Sequence, residues 1–137
     1  MGLMLDSSIV IDAEQRGDTP ELLIERLANA IPDQPFAISA IALTEIVHAV
    51  FRAPAPERRS RRETFIHQLV MDIEVLPYTR DTAFLAGKID GEQRALGITM
   101  PSMDLLIGAT ALEIGYSVVT ANLRHFNLIP GLNVIAL

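Results

Sequence analysis

Two aspartates stand where a carboxylate is costly to bury. Asp6 follows the apolar run Leu3-Met4-Leu5, and Asp104 begins a largely apolar block that extends to residue 111. A carboxylate at the end of a buried strand, or at the start of an apolar helix, loses hydration free energy unless a partner compensates for it. Carboxylate oxygens are ligands that Mg²⁺ and Mn²⁺ prefer. The two positions therefore predict a divalent cation bound by Asp6 and Asp104.

Each aspartate also has an ordinary structural interpretation. Asp6 could cap a helix that begins near Ser8, because aspartate is favoured at helix N-caps, although the two serines that follow it could cap that helix equally well. Asp104 lies in the first predicted turn of its helix, where the helix dipole favours an acid. Gly108 and Gly115, however, lie on the same face of that helix as Asp104. Small residues on this face indicate that the helix packs closely against other backbone there, so the face is not open to water.

The chain alternates between predicted strands and predicted helices. Short apolar runs predict strands at residues 2–5, 36–38, 73–76, 117–120 and 134–135. Helical spacing, with Thr19 and Ser102 as N-caps and Gly97 and Gly115 at helix ends, predicts helices at 19–30, 41–52, 57–71, 79–96 and 102–115. Nearly continuous apolar strands separated by helices predict an α/β fold. We expect a three-layer sandwich whose parallel central sheet of four to five strands has helices on both faces.

In such folds, ligands bind outside the carboxyl ends of the strands, where the strand order reverses. Asp6 ends the first strand, and Thr120-Ala121-Asn122 ends the fourth. If these strands are neighbours, the two groups face one crevice. Glu45 lies on a narrow polar strip of its helix with Thr44 and His48. Periodicity alone assigns such a strip to solvated surface.

Composition limits the class of protein. The chain has 137 residues, 50% of them hydrophobic, and no linker or repeat divides it, so one domain over residues 1–137 is expected. The absence of cysteine excludes disulfides, thiolate catalysis and zinc-cysteine sites. No apolar run reaches membrane-spanning length, and the N-terminus lacks a signal-peptide pattern. We therefore expect a cytoplasmic protein without membrane contact.

Charge is unevenly distributed along the chain. The formal net charge of −6 argues against broad, non-specific affinity for nucleic acid. Cations are nevertheless concentrated in one segment, as Arg52, Arg58, Arg59, Arg61 and Arg62. Such a segment is either a solvated helix face or an edge that contacts phosphate, and the sequence leaves both interpretations open.

Four segments form a combined pattern: a strand-ending Asp6, Thr44-Glu45 on a helix, Asp104-Leu105-Leu106-Ile107 at a helix start, and Thr120-Ala121-Asn122 with Phe126. This pattern resembles the PIN domain and, within it, the VapC-type toxins of toxin–antitoxin pairs. The resemblance runs from about residue 3 to the C-terminus. It implies a metal-dependent endoribonuclease with an acidic cluster of Asp6, Glu45 and Asp104. It also implies a VapB-like antitoxin as partner, and a homodimer.

The chemistry of phosphodiester hydrolysis predicts a division of roles in the site. We expect Asp6 and Asp104 to hold Mg²⁺ or Mn²⁺, directly or through water, and Glu45 to bind a second ion or orient the attacking water. One or two cations roughly 4 Å apart can activate water, neutralise the phosphate and stabilise the leaving oxygen of an RNA phosphodiester. Neutral hydrogen bonds around the acids are expected from Ser8, Thr120 and Asn122.

One position departs from the family pattern. The family often has a further acid three residues after the Asn, where this chain has His125. A neutral imidazole can still hold or orient a water on a metal. The departure nevertheless leaves open a PIN-like module that binds RNA or protein without nuclease activity.

Other phosphate-handling classes fit less well. A phosphoaspartyl enzyme needs an acid two residues after Asp6, where Ser8 stands. A receiver domain needs an acidic pair after the first strand and a phospho-acceptor aspartate after the third, where Leu76-Pro77-Tyr78 stands. The eight glycines form neither a dinucleotide-binding loop nor a P-loop.

Overall fold

Leu3, Met4 and Leu5 form the central strand of a parallel sheet, and none of their side chains is exposed. The computed structural model describes residues 1–137. Its five strands are β1 (Leu3–Leu5), β2 (Phe36–Ser39), β3 (Glu74–Leu76), β4 (Ser117–Thr120) and β5 (Val134–Ala136). They lie in the order β3-β2-β1-β4-β5, and every neighbouring pair is parallel. The strand order therefore reverses between β1 and β4, which confirms that the strands ending at Asp6 and Thr120 are neighbours.

Seven helices connect and cover the strands. They are α1 (Ser7–Gln15), α2 (Pro20–Ala30), α3 (Ala40–Phe51), α4 (Pro56–Asp72), α5 (Arg80–Ala95), α6 (Ser102–Ile114) and α7 (Leu123–Phe126). None of them is long and apolar enough to cross a membrane. The short helix α7, which holds His125, was not predicted, because its four residues carry no periodic signal.

The two faces of β1 belong to different parts of the core. Leu3 and Leu5 pack into a cluster with apolar residues of α1, α2, α3 and α4. Met4, between them, packs with Ile107 of α6 and Phe126 of α7. Side chains alternate between the faces of a strand, so a strand covered on both sides must be apolar throughout. The predicted three-layer α/β sandwich is thereby confirmed, with five strands.

Helix ends follow the predicted signals in most places. Thr19 caps α2 by accepting a hydrogen bond from the Leu22 N–H at 3.1 Å, and Gly115 ends α6 with a φ of 76°. The prediction that Ser102 caps α6 is wrong. Pro101 occupies the N-cap position and Ser102 is the first helical residue, with no side-chain cap. Pro101 has φ −57° and ψ 136°, and its carbonyl accepts the first hydrogen bond of the helix, from the Leu105 N–H at 3.0 Å. Its ring fixes φ and offers no capping group, so the helix begins without a side-chain cap.

Helix α3 does not bury all of its apolar side chains. Ile46 and Val50 are in the core, whereas Val47 is 38% exposed and Phe51 is 60% exposed. Helix α3 packs against α1, α4 and α6, and these neighbours leave its C-terminal end partly open. A large aromatic side chain is therefore presented at the surface where α3 ends.

Candidate active site

Asp6 and Thr120 meet at the carboxyl ends of β1 and β4. The Asp6 N–H donates to the Val119 carbonyl at 2.9 Å, which continues the pairing of the two strands to the site itself. The Thr120 hydroxyl donates to Asp6 Oδ2 at 2.9 Å. Asp6 is only 4% exposed, and Thr120 is fully buried. The crevice therefore lies at the reversal of strand order, as predicted.

The carboxylate of Asp6 does not act as a helix cap. Its backbone has the extended geometry of an N-cap residue, with φ −69° and ψ 153°, but its side chain makes no capping hydrogen bond. Oδ2 instead accepts from Ser8 Oγ at 2.7 Å and from Thr120, while Oδ1 has only a long contact of 3.5 Å to Ser7 Oγ. Local helix geometry therefore does not account for this acid.

Glu45 reaches the same crevice from α3. Its Oε1 accepts from Ser7 Oγ at 2.9 Å across 38 residues of chain. The assignment of its polar strip to solvated surface holds for Thr44 and His48, which are exposed, but is wrong for Glu45, which is half-buried. The difference arises because α3 packs over α1 and beside α6, so one side of the strip faces the crevice.

Burial is the main reason that the pKa of Glu45 is raised above its ordinary value. The hydrogen bond from Ser7 opposes this rise in pKa, and the negative charges of Asp6 and Asp104 add to it. The three carboxylates are thus close enough to repel one another. A site of this kind favours a bound cation or proton.

Asp104 lies in the first turn of α6, half-buried, with His125 against it. His125 Nδ1 is 2.7 Å from Asp104 Oδ2, and Asn122 Nδ2 is 2.9 Å from the same ring nitrogen. One ring nitrogen cannot donate to the carboxylate and accept from the amide at the same time. The shorter contact, to a carboxylate, favours the tautomer in which Nδ1–H donates to Asp104.

The pKa of Asp104 is also raised, first by burial. The hydrogen bond and the charge of His125 act to lower this pKa, whereas the negative charge of Asp6 raises it further. No Lys or Arg side chain forms an ion pair with any of the three acids. His125 is therefore the one basic side chain in contact with the cluster.

The neutral residues predicted around the acids connect to one another. The Asn122 N–H donates to Thr120 Oγ1 at 2.9 Å, and the Ala121 N–H donates to Ser8 Oγ at 3.3 Å. Ser8, Thr120 and Asn122 are thus brought together with Asp6, as expected. Ser7 was missed, since nothing in the sequence near residue 7 signals a partner as distant as Glu45.

The donor set fits a divalent cation of the Mg²⁺ or Mn²⁺ type. It consists of hard carboxylate oxygens with mutual repulsion and no Lys or Arg neighbour. Their oxygens diverge toward Ser8, Ser7 and His125, however, and no three acid or histidine side chains form a preformed cage. Mg²⁺ is commonly held by one or two carboxylates and completes its octahedron with water and phosphate, so a cage of three is not required.

Comparisons with known proteins agree with the geometry of the crevice. The family model described as PIN domain matches residues 3–131. A "Ribonuclease VapC" of Rickettsia bellii is 34% identical over 98% of this chain and 96% of its own length. A "tRNA(fMet)-specific endonuclease VapC" of Salmonella typhimurium is 30% identical, covering 96% of this chain and 94% of its own.

Solved structures match the fold over nearly the whole chain. The DNA-bound VapBC of Salmonella typhimurium superposes with a TM-score of 0.83 at 28% identity, covering 99% of this chain and 98% of the other. VapBC2 of Rickettsia felis, bound to a fragment of promoter DNA, gives a TM-score of 0.86 at 23% identity and covers 100% and 99% of the two chains. The similarity thus includes the strands and helices that position the three acids.

Proposed function

Because this chain belongs to the PIN domain family, among its VapC ribonucleases, we propose that it is an endoribonuclease toxin that hydrolyses RNA phosphodiesters with Mg²⁺ or Mn²⁺ as cofactor. One observation carries the proposal for the site. The buried carboxylate of Asp6 lies at the β1–β4 reversal, is held by Ser8 and Thr120 hydroxyls, and caps no helix. The burial cost of such a charge is explained if the residue binds a cation.

We assign the three acids different roles. Asp6 and Asp104 would hold the cation, which when bound lowers the pKa of water and neutralises phosphate charge. Glu45 would bind a second ion or orient the attacking water, and its raised pKa makes its carboxylate a stronger proton acceptor than an ordinary glutamate. Ser7 keeps Glu45 directed into the crevice by its 2.9 Å hydrogen bond.

The remaining groups would hold these acids in position. Ser8 and Thr120 fix Oδ2 of Asp6, and Oδ1, which has only the long contact to Ser7, would be free to bind the cation. His125 and Asn122 lie beside Asp104 and would orient its carboxylate or a water bound next to it.

The proposed function includes partners. Structural relatives are VapBC toxin–antitoxin complexes, and we propose that a VapB-like antitoxin binds and inhibits this chain. We also propose that residues 1–137 act as one PIN domain, that the protein forms a homodimer, and that it meets its RNA substrate in the cytoplasm. An Arg or Lys of the antitoxin would suit the crevice, because the three acids have no Lys or Arg partner of their own.

A PIN-like module without nuclease activity is the second candidate. One observation favours it: Asp104 Oδ2 is already engaged by His125 at 2.7 Å, where the family often has a further acid. In that case the crevice would bind RNA or protein without cutting it.

A metal-titrated cleavage assay separates the two candidates. Single-stranded RNA is incubated with the protein in EDTA and then with increasing Mg²⁺ or Mn²⁺. We expect cleavage only with the cation, with 5′-phosphate and 3′-hydroxyl ends, because water attacks the phosphorus, the bond to the 3′ oxygen breaks and that oxygen leaves as the hydroxyl. Products with 2′,3′-cyclic phosphate, or full activity in excess EDTA, would reject the proposed mechanism. RNA binding without cleavage at any cation concentration would favour the non-cutting module.

A further inference from the structure

The positive charge of the molecule is concentrated where α3 ends and α4 begins. Of the eleven Lys and Arg side chains, five form ion pairs: Arg16, Arg26, Arg62, Lys88 and Arg94. Four of the remaining six lie in one short segment, as Arg52, Arg58, Arg59 and Arg61. All four are exposed. Internal ion pairing therefore does not explain why these cations are grouped.

An exposed aromatic ring lies among these arginines. Phe51 is 60% exposed, and the Arg59 guanidinium lies 5.6 Å from the centre of its ring. We call Phe51, Arg52, Arg58, Arg59 and Arg61 the arginine surface. An aromatic side chain among unpaired arginines is typical of surfaces that bind single-stranded nucleic acid, where rings stack on bases and cations contact phosphates.

The arginine surface borders a polar cleft between the end of α1 and the start of α4. The cleft has a volume of about 530 Å³ and is lined in part by Arg58, Arg61 and Arg62. Arg62 donates to Glu14 at 3.1 Å and to the Ala49 carbonyl at 2.9 Å, and these bonds fix α4 against α1 and α3. The acids at the cleft, Glu14 and Asp18, are already paired with arginines. The unpaired charge at this cleft is positive.

Helix α3 connects the arginine surface to the crevice. Glu45 lies in the middle of α3 and Phe51 at its end. Six residues of helix span about 9 Å along the axis. At roughly 3.4 Å per stacked nucleotide this distance corresponds to about two or three nucleotides. Arg52, seven residues or about two turns after Glu45, lies on the same side of α3, and Phe51 lies about a third of a turn away from it. A strand that runs along this side of α3 can therefore contact both the crevice and the arginine surface.

The charge of the crevice favours a separate binding surface for the substrate. Three clustered carboxylates, in a chain of net charge −6, repel a polyanion until a cation is bound. A flanking group of unpaired arginines would offset this repulsion and retain the strand.

We propose that the arginine surface binds the single-stranded RNA that flanks the scissile phosphate, with phosphates on Arg58 and Arg61 and a base stacked on Phe51. This inference rests on the proposed ribonuclease function and names the substrate contact of the same site. An acidic protein segment would also suit the arginines. The exposed ring, and its place on the helix that carries Glu45, favour the RNA strand.

The test measures RNA binding in EDTA, so that cleavage does not enter the result. A fluorescent single strand of about twelve nucleotides, within the roughly 4–16 that such surfaces bind, is titrated at several salt concentrations. The variants are Arg58→Gln with Arg61→Gln, and Phe51→Ala. The control for charge is Arg80→Gln with Arg94→Gln, which removes two exposed arginines from α5, a helix that packs mainly against α6. Thermal melts verify that each variant is folded.

We expect the double arginine variant to bind RNA more weakly. The slope of log affinity against log salt concentration should become shallower by about 0.7 for each phosphate contact removed. Phe51→Ala should bind about fivefold more weakly or worse with an unchanged salt slope, because stacking is not ionic. The control should retain both the affinity and the salt slope of the wild type.

Two results would overturn the inference. The first is wild-type affinity and salt slope in both arginine-surface variants. The second is unchanged RNA binding together with weaker binding of a fluorescent oligo-glutamate peptide, which would assign the surface to an acidic protein partner. The ribonuclease proposal fails by a different result: RNA binding that depends on these residues, with no cleavage when Mg²⁺ or Mn²⁺ is added.

Discussion

The carboxylate crevice and the arginine surface differ in how the chain builds them. Asp6, Glu45 and Asp104 come from three distant parts of the sequence and meet only because β1 lies beside β4 and α3 packs over α1. The arginine surface comes from one continuous segment, residues 51–61. Oxygens that hold a cation need defined positions, whereas a surface that attracts a polyanion needs only a sufficient density of charge.

The two regions also differ in their free-energy cost. Burial and mutual repulsion raise the pKa of Glu45 and Asp104, so the crevice is destabilising when it is charged and holds no cation. The arginine surface is exposed to water and carries no such cost. Changes in the crevice should therefore act on both catalysis and stability, and changes in the arginine surface on RNA binding alone.

The largest expected effect is the loss of cleavage when a crevice aspartate is neutralised. Asp6→Asn and Asp104→Asn should each lower single-turnover cleavage by at least about a thousandfold, roughly 4 kcal/mol of activation free energy. In EDTA their melting temperatures should equal or exceed that of the wild type, because each substitution removes one of the repelling charges.

The matched control for these variants is Asp12→Asn, on the exposed side of α1. It should change neither the rate nor the melting temperature. A clear drop in the melting temperature of both crevice variants would mean that the two acids are structural.

His125 should have a much smaller effect on the rate. His125→Ala removes the 2.7 Å contact to Asp104 but no expected cation ligand, so cleavage should remain within about tenfold, or 1.4 kcal/mol. His125→Asp should keep or raise activity and tighten cation binding, since Mg²⁺ prefers an oxygen ligand to imidazole. Single-turnover rates across a range of Mg²⁺ concentrations measure both variants. A thousandfold loss in His125→Ala would make His125 a principal catalytic group.

Salt should affect binding by the arginine surface more than chemistry in the crevice. If two phosphate contacts are made, RNA affinity should fall about sevenfold between 50 and 200 mM salt, following a slope of about −0.7 per contact. The single-turnover rate at saturating RNA and saturating cation should hardly change, because it no longer depends on the affinity for RNA. If RNA affinity and the single-turnover rate depended equally on salt, the proposed distinction between the arginine surface and the crevice would be wrong.

The smallest expected effect is on the pH dependence of stability. In the folded chain the pKa values of Glu45 and Asp104 are raised above their ordinary values of 4.5 and 3.8, so both carboxylates bind protons more tightly than in the unfolded chain. In EDTA the free energy of unfolding should therefore fall as pH rises above this range, up to the raised pKa values of the folded state. Glu45→Gln should reduce the fall, whereas Glu21→Gln, on the exposed side of α2, should not. A free energy of unfolding that rises through this window in the wild type would contradict the account.

The sequence predicted the parts of the site that strand topology positions. Asp6 and Thr120 each end an apolar strand, so the rule that ligands bind at the reversal of strand order located them without knowledge of any contact. Glu45 could not be located in this way. Its place depends on how α3 packs over α1, and its helical periodicity pointed to solvent.

Other features depended on side-chain contacts that the sequence does not display. The hydrogen bond from Ser7 to Glu45 joins residues far apart in the chain, and the exposure of Phe51 depends on which helices cover α3. The N-cap of α6 was mispredicted at Ser102 because residue type favours serine, while Pro101 fixes the backbone one residue earlier. The grouping of arginines was visible in the sequence, but their lack of acidic partners was not.

Calorimetric titration with Mn²⁺, in the absence of RNA, tests the central claim most directly. It asks whether the crevice acids bind a cation, independently of any cleavage. The wild type and Asp12→Asn should bind Mn²⁺ with the same affinity, and Asp6→Asn and Asp104→Asn should lose that binding. Equal Mn²⁺ affinity in all four proteins would contradict the assignment of Asp6 and Asp104 as the residues that hold the cation.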